Sequence, residues 1–212
     1  MSQSTRDHWN NVYTNADVPN LGWYEETPAP SLRLFEQCQL EQSAAVLDVG
    51  VGATTLIDAL LEQGYHNLTA VDISAVAIGR LQERLGEKAA SVRWIVDDLT
   101  APLHLNQLSD ITFWHDRAVL HFLTGESQRQ SYFDTLKRVV EPGGYVMIAA
   151  FAIDGAKKCS GLDVHNYDSD MLAAALGDEF TLIDSFDYLY TMPSGDTRPF
   201  VYTLFRRAFI GR

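Results

Sequence analysis

The chain has 212 residues, 46% of them hydrophobic, enough for one large buried core at the upper end of single-domain size. Its formal charge of −12, from 16 basic against 28 acidic residues, argues against a nucleic-acid partner and against adhesion to anionic membranes. Cys38 and Cys159 stand far apart in no metal-ligand spacing, no run of 18 apolar residues occurs, and the N-terminus is polar, with Arg6 and Asp7, so a reducing cytoplasm is the expected location.

In chain order, residues 1–43 form an N-terminal extension rich in aromatic side chains (Trp9, Tyr13, Trp23, Tyr24), ahead of a helix that Ser31 begins to organise. From residue 44 onward, extended and helical patterns alternate, which is what a parallel sheet with crossover helices requires. The first strand is expected at 44–50, with its helix at 54–63 stopped by Gly64. A second strand at 67–72 leads to a helix capped by Ser74 that runs to about Leu85 and exits at Gly86. Strands follow at 91–96 and 110–115, then a long amphipathic helix at 126–140 and a fifth strand at 144–152, entered through the Pro142-Gly143-Gly144 turn. After an irregular loop comes a short helix at 168–176. The runs 180–190 and 200–209 are joined by Pro193-Ser194-Gly195-Asp196, too short a link for a helical crossover, so they pair antiparallel. The pattern predicts one α/β domain over 1–212, with a seven-stranded, mostly parallel sheet in the 44–212 core.

The chemistry concentrates at the strand ends. Val46-Leu47-Asp48-Val49-Gly50-Val51-Gly52-Ala53 is a strand running into two glycines and then a helix. Gly50 and Gly52 allow a sharp turn and close approach of a ligand, and a helix opening near Ala53 points free N–H groups at it. Asp72 ends the next strand twenty residues after Gly52, where a carboxylate accepts both hydroxyls of a ribose. Together these features indicate a nucleoside-bearing cofactor.

With VDIS at 71–74, Asp98-Leu99 after the third strand, the 110–115 strand and the Pro-Gly-Gly turn, the segment 44–150 resembles the class I S-adenosylmethionine-dependent methyltransferases in motif order and spacing. The resemblance implies a Rossmann-like three-layer α/β/α fold with strand order 3-2-1-4-5-7-6, the last strand antiparallel. It also implies S-adenosyl-L-methionine as cofactor, with Asp48, Gly50 and Gly52 beside the methionine part, Asp72 on the ribose and Ile73 on the adenine face. Asp98 would meet the adenine amino group, with the Leu99 backbone near a ring nitrogen; Asp97 is the alternative for that role. The family's usual third glycine is Thr54 here. A nicotinamide dehydrogenase would require a small residue where Thr55 stands.

The run Trp114-His115-Asp116-Arg117-Ala118-Val119 follows the fourth strand, where the family places its reacting methyl group. It resembles a group of bacterial class I enzymes that share this run and a Trp-x-x-x-Tyr pattern, here Trp9 and Tyr13; related N-terminal features occur in methyltransferases that modify protein lysines. In-line displacement needs alignment and a dry site, and no metal; a base is required where the acceptor arrives protonated. His115 and Asp116 are the catalytic candidates, His115 also lying beside the cofactor, while Asp116 alternatively caps a helix beginning at Arg117 and His121 is a second histidine one turn on. Tyr13 and Trp23 are placed in a lid over the cofactor. Cys159, His165 or Tyr167 is expected to border the pocket of a small-molecule acceptor; the alternatives are a protein lysine side chain as acceptor and a module that binds S-adenosylmethionine without catalysis.

Overall fold

Alternating apolar positions set the two faces of the central sheet. In the computed structural model, which describes residues 2–209, Val146, Ile148 and Ala150 join one buried cluster while Met147, Ala149 and Phe151 join another, the period of two that a strand imposes. Numbered in chain order, the strands are β1 (Val46–Val49), β2 (Leu68–Asp72), β3 (Val92–Val96), β4 (Ile111–Arg117), β5 (Val140–Phe151), β6 (Lys158–Cys159), β7 (Leu162–Asp163), β8 (Phe180–Thr191) and β9 (Thr197–Arg207). The helices are α1 (Ser2–Asn15), α2 (Ala29–Gln37), α3 (Leu56–Glu62), α4 (Ala75–Leu85), α5 (Glu126–Val139) and α6 (Ser169–Leu176).

Seven strands form one sheet in the order β3-β2-β1-β4-β5-β9-β8, parallel up to β5 and antiparallel across β5–β9 and β9–β8. Helices α5 and α6 cover one face through Tyr132, Phe133, Leu136 and Leu172, and α2, α3 and α4 cover the other through Leu34, Phe35, Ile57, Leu60 and Leu81. This is the expected three-layer architecture, with the strand order that the resemblance implied. None of the helices among the described residues is long and apolar enough to cross a membrane.

Several local expectations are corrected. Helix α2 starts at Ala29, with Pro28 at its N-cap and Pro30 in its first turn, so Ser31 lies inside the helix and its hydroxyl is used elsewhere. The helix after the glycine loop opens at Leu56 rather than near Ala53; Thr54 Oγ1 accepts from Leu56 N (3.1 Å) and holds residues 52–55 as a loop. The Pro-Gly-Gly segment is a bulge within β5, where its register against β4 slips between Ile111 and Phe113. Strand β4 continues to Arg117, so no helix begins there. The loop after β5 contains the short β6–β7 hairpin. The predicted cap Ser74 does accept from the backbone, at Ala77 N (3.1 Å), and Asp168 caps α6 in the same way, at Met171 N (2.8 Å).

The extension folds back on the core. Ser74 Oγ donates to Asn10 Oδ1 (2.8 Å), and the Arg80 guanidinium donates to the carbonyls of Ala16 (2.5 Å) and Thr14 (3.0 Å), which ties α1 and its exit to α4. That docking carries the extension's aromatic rings to the rim where β1–β4 end.

Candidate functional site

The carboxyl ends of the parallel strands open into a cleft of about 580 Å³, within the range that encloses a drug-sized ligand. Because the lining follows strand order, Asp98 (after β3) and Asp72 (β2) occupy one end, Gly50 (after β1) and Arg117 (β4) the middle, and Cys159 (β6) and Arg198 (β9) the other end. Strand β9 runs antiparallel, so its beginning reaches this rim.

Gly50 and Gly52 have φ of +63° and +43°, and a Cβ on either would meet a side chain, Val119 Cγ2 at 2.0 Å for Gly50 and the Tyr13 hydroxyl at 2.2 Å for Gly52. The turn therefore needs glycine twice over. Tyr13 closes on the loop from α1, and its hydroxyl accepts from Trp23 Nε1 (3.1 Å), so the two rings act as one cover. Burial pushes the Tyr13 phenol upward in pKa, so it is a neutral group at this position.

Asp72 accepts from Gly52 N (2.8 Å) and Ser74 N (2.7 Å), which fixes its carboxylate at the cleft wall. Burial raises its pKa to about 6, against the lowering effect of those backbone N–H groups. Ile73 and Leu99 line the cleft beside it. Of the two acids after β3, Asp97 accepts from the backbone N–H groups of Asp98, Leu103, His104 and Leu105, and so anchors a loop. Asp98 uses only Oδ1 on Thr100, and its Oδ2 takes none of these bonds. Both acids line the cleft, and Asp97 is the more fully engaged of the two.

His115 and Asp116 cannot act as a pair. With β4 running on to Arg117 they are successive strand residues and project to opposite faces of the sheet. On one face His115 Nδ1 meets Asp48 Oδ1 at 2.6 Å and Nε2 meets Ser31 Oγ at 3.0 Å, with all three side chains buried. On the other, Asp116 accepts from Val119 N (3.0 Å), Leu120 N (3.1 Å) and the Tyr132 hydroxyl (2.7 Å), capping the 3-10 turn Leu120–Phe122. Burial raises its pKa to about 6. Neither side chain lines the large cleft. His121 is a core histidine: it is fully buried, its Nδ1 accepts from Phe151 N (3.3 Å), and burial lowers its pKa to about 3.

A side cavity of about 40 Å³, room for more than a single water, opens from the same region and shares Trp23, Gly50 and Arg117 with the cleft. Two buried charged atoms on its walls lack partners, Asp48 Oδ2 and Arg117 Nη2. The rest of the Arg117 fork is engaged, by the Tyr202 hydroxyl (2.9 Å), the Trp23 carbonyl (2.8 Å) and Glu25 (2.8 Å). Leaving such atoms unsatisfied costs about 1–3 kcal/mol each, and one acceptor facing one donor matches the ammonium and carboxylate of an amino-acid group. The sequence reading missed Arg117 in this role because it ended β4 at His115; two residues further on, the period of two returns Arg117 to the face of His115. Of the residues expected at the acceptor end, Cys159 lines the cleft, whereas His165 and Tyr167 do not.

The methyltransferase domain family model matches residues 46–144, the segment that carries this glycine loop, Asp72, Asp98 and β4. The chain is an S-adenosylmethionine-dependent methyltransferase. Over 161 residues, 69% of this methyltransferase and 65% of the relative, it is 26% identical to EEF1A lysine methyltransferase 2 of Mus musculus. The fold is similar to that of a solved structure from work on converting a disulfide bond into a thioacetal group during echinomycin biosynthesis, with a TM-score of 0.78 at 17% identity over 98% of this chain and 93% of that one. It is also similar to that of the 1,6-didemethyltoxoflavin-N1-methyltransferase of Burkholderia thailandensis, solved with its acceptor and S-adenosylhomocysteine (TM-score 0.67, 21% identity, 97% and 85% of the chains). The residues present fit the same cofactor: the orphaned Asp48 and Arg117 atoms in the side cavity have the charges its amino-acid end would need, and Asp72 and Asp98 offer carboxylates on the cleft wall.

Proposed function

We propose that the methyltransferase passes the methyl group of S-adenosylmethionine to a small-molecule acceptor. The observation that carries this reading is the single cleft that runs from Asp98 to Arg198 beneath the α1 cover, with acids at one end and aromatic and basic side chains at the other. Asp72 accepts the ribose hydroxyls and Asp98 Oδ2 the adenine amino group, with Ile73 against the ring and the Leu99 backbone at its edge. Gly50 and Gly52 let the chain approach the methionine part, whose ammonium and carboxylate meet Asp48 and Arg117. Tyr13 and Trp23 close over that part and exclude water.

When bound, the cofactor supplies an electrophilic methyl carbon on a sulfonium. The chain supplies position. His115, held by Ser31, orients Asp48 and is a positioning residue, and Asp116 fixes the 3-10 turn that presents Val119 and Phe122 to the cleft. A protein lysine is the second reading, favoured by the name of the mouse relative. The deciding assay follows S-adenosylhomocysteine release with small aromatic acceptors, small amines and lysine-bearing peptides in separate reactions. Turnover confined to the small molecules is expected, and preference for a peptide lysine would reverse the assignment.

A further inference from the structure

The half of the cleft beyond Val119 has a distinctive chemistry. Trp9 from α1, Phe122 from the 3-10 turn, Phe151 from β5 and Phe200 from β9 line it, with Met192 at its edge. Flat aromatic walls of this kind favour a planar, apolar guest. Trp9 packs edge-on against Phe122 at 5.0 Å and against Trp23 at 5.7 Å, so the walls are already assembled.

The charged groups at this end have one sign to spare. Lys158 and Asp163 pair with each other (3.2 Å) on the exposed β6–β7 hairpin and cancel. Arg198 gives one N–H to the carbonyl of its neighbour Thr197 (3.0 Å) and makes no ion pair among the described residues, although it is half-buried and lines the cleft. A half-buried guanidinium fork against an apolar wall is a site for a carboxylate or similar oxyanion. A protonated lysine side chain would meet the opposite of what it needs.

Acid–base groups point the same way. His115 and Asp116 lie behind the wall with their atoms engaged, and among the described residues the one carboxylate lining the cleft at the acceptor end is Asp163, already paired. A nucleophile that arrives ionised needs no base.

Resting on the methyltransferase reading above, we propose that the acceptor is a planar aromatic acid, ionised near neutral pH, whose anionic oxygen is paired by Arg198 and receives the methyl group. The oxygen lone pair forms the new O–C bond as the C–S bond breaks, its electron pair goes to sulfur, the sulfonium becomes a neutral thioether, and no proton leaves. Arg198 holds the acceptor charge in the ground state and orients the ring between the aromatic walls.

The test uses the full chain with S-adenosylmethionine and three probes on a shared ring frame: nitrophenols that are ionised at neutral pH, the parent phenols that are not, and benzoates, with a lysine peptide as the cationic control. Turnover is expected for the ionised probes. Arg198→Gln should raise KM for them about tenfold, the loss of one charge-assisted hydrogen bond, with Arg198→Lys restoring part of it and S-adenosylhomocysteine affinity unchanged in both variants. The rate on weakly acidic phenols should climb with pH along the phenol's own ionisation. Equal turnover of neutral and ionised probes, preference for the lysine peptide, an unaltered KM in Arg198→Gln, or no turnover of any probe by protein that binds S-adenosylhomocysteine would each overturn the proposal. Failure to bind S-adenosylhomocysteine at all would instead bring down the methyltransferase reading on which it rests.

Discussion

His115 carries the clearest consequence at the scale of single residues. Its two nitrogens are committed to Asp48 and Ser31, in a buried chain that ends at the orphaned Asp48 Oδ2. His115→Asn should weaken S-adenosylhomocysteine binding by about 1–3 kcal/mol, the value of a disrupted buried hydrogen bond to a charge, with acceptor KM and the shape of the pH–rate profile retained. Loss of a limb of that profile without change in cofactor affinity would return His115 to the role of a base. Asp72 adds a pH effect. Its carboxylate is ready to accept two ribose hydroxyls when ionised, and burial has raised its pKa to about 6, so cofactor affinity is full above that value and falls as pH drops through it. For folding the sign is reversed: a carboxylate with a raised pKa stabilises the folded chain most when protonated, below its ordinary value of 3.8, and that contribution is lost as pH rises through about 6. The increase in Tm produced by saturating S-adenosylhomocysteine should therefore shrink from about pH 7.5 to about pH 5.5; an increase that is constant or larger at the acidic end would contradict the ribose assignment.

At the scale of elements, the glycine loop and α1 form one device. A Cβ at Gly52 would strike the Tyr13 hydroxyl, so Gly52→Ala must displace Tyr13, loosen its bond from Trp23 and open the cover. Cofactor affinity should fall by at least about tenfold, or 1.4 kcal/mol, with faster hydrogen exchange along α1 and little change in β4 or β5. Unchanged exchange in α1 would separate the cover from the loop. The elements also show what was legible beforehand. Strands β1 and β2, the cap Ser74 and the closing β8–β9 hairpin were readable because apolar period, capping residues and link length are local properties. The reach of β4 to Arg117 was not, because polar His-Asp-Arg reads as a loop until parallel pairing with β5 at Ile148 and Ala149 holds it extended. That two-residue difference placed His115 and Asp116 on opposite faces and brought Arg117 to the side cavity that Asp48 also lines. Arg198 gave no signal of its own, since it meets the cleft only through the antiparallel return of β9, and Trp9, conspicuous in the aromatic extension, is brought to the cleft by the docking of α1 on α4.

Across the whole molecule, a net charge of −12 coexists with a cleft whose charge changes sign along its length. Asp72 and Asp98 lie under β2 and β3, Arg198 at β9, and strand order sets their separation in steps of about 4.8 Å. On the proposed reading the sheet distributes two tasks, holding a nucleoside at one end and choosing an acceptor at the other, with the glycine loop between them. The central claim concerns the first task, and calorimetric titration of S-adenosylhomocysteine into the intact chain and its Asp72→Ala variant tests it most directly. One site per chain is expected for the native protein, with affinity reduced at least about a hundredfold in the variant, as two charge-assisted hydrogen bonds are lost. No binding by the native chain, or equal affinity in the two proteins, would contradict it.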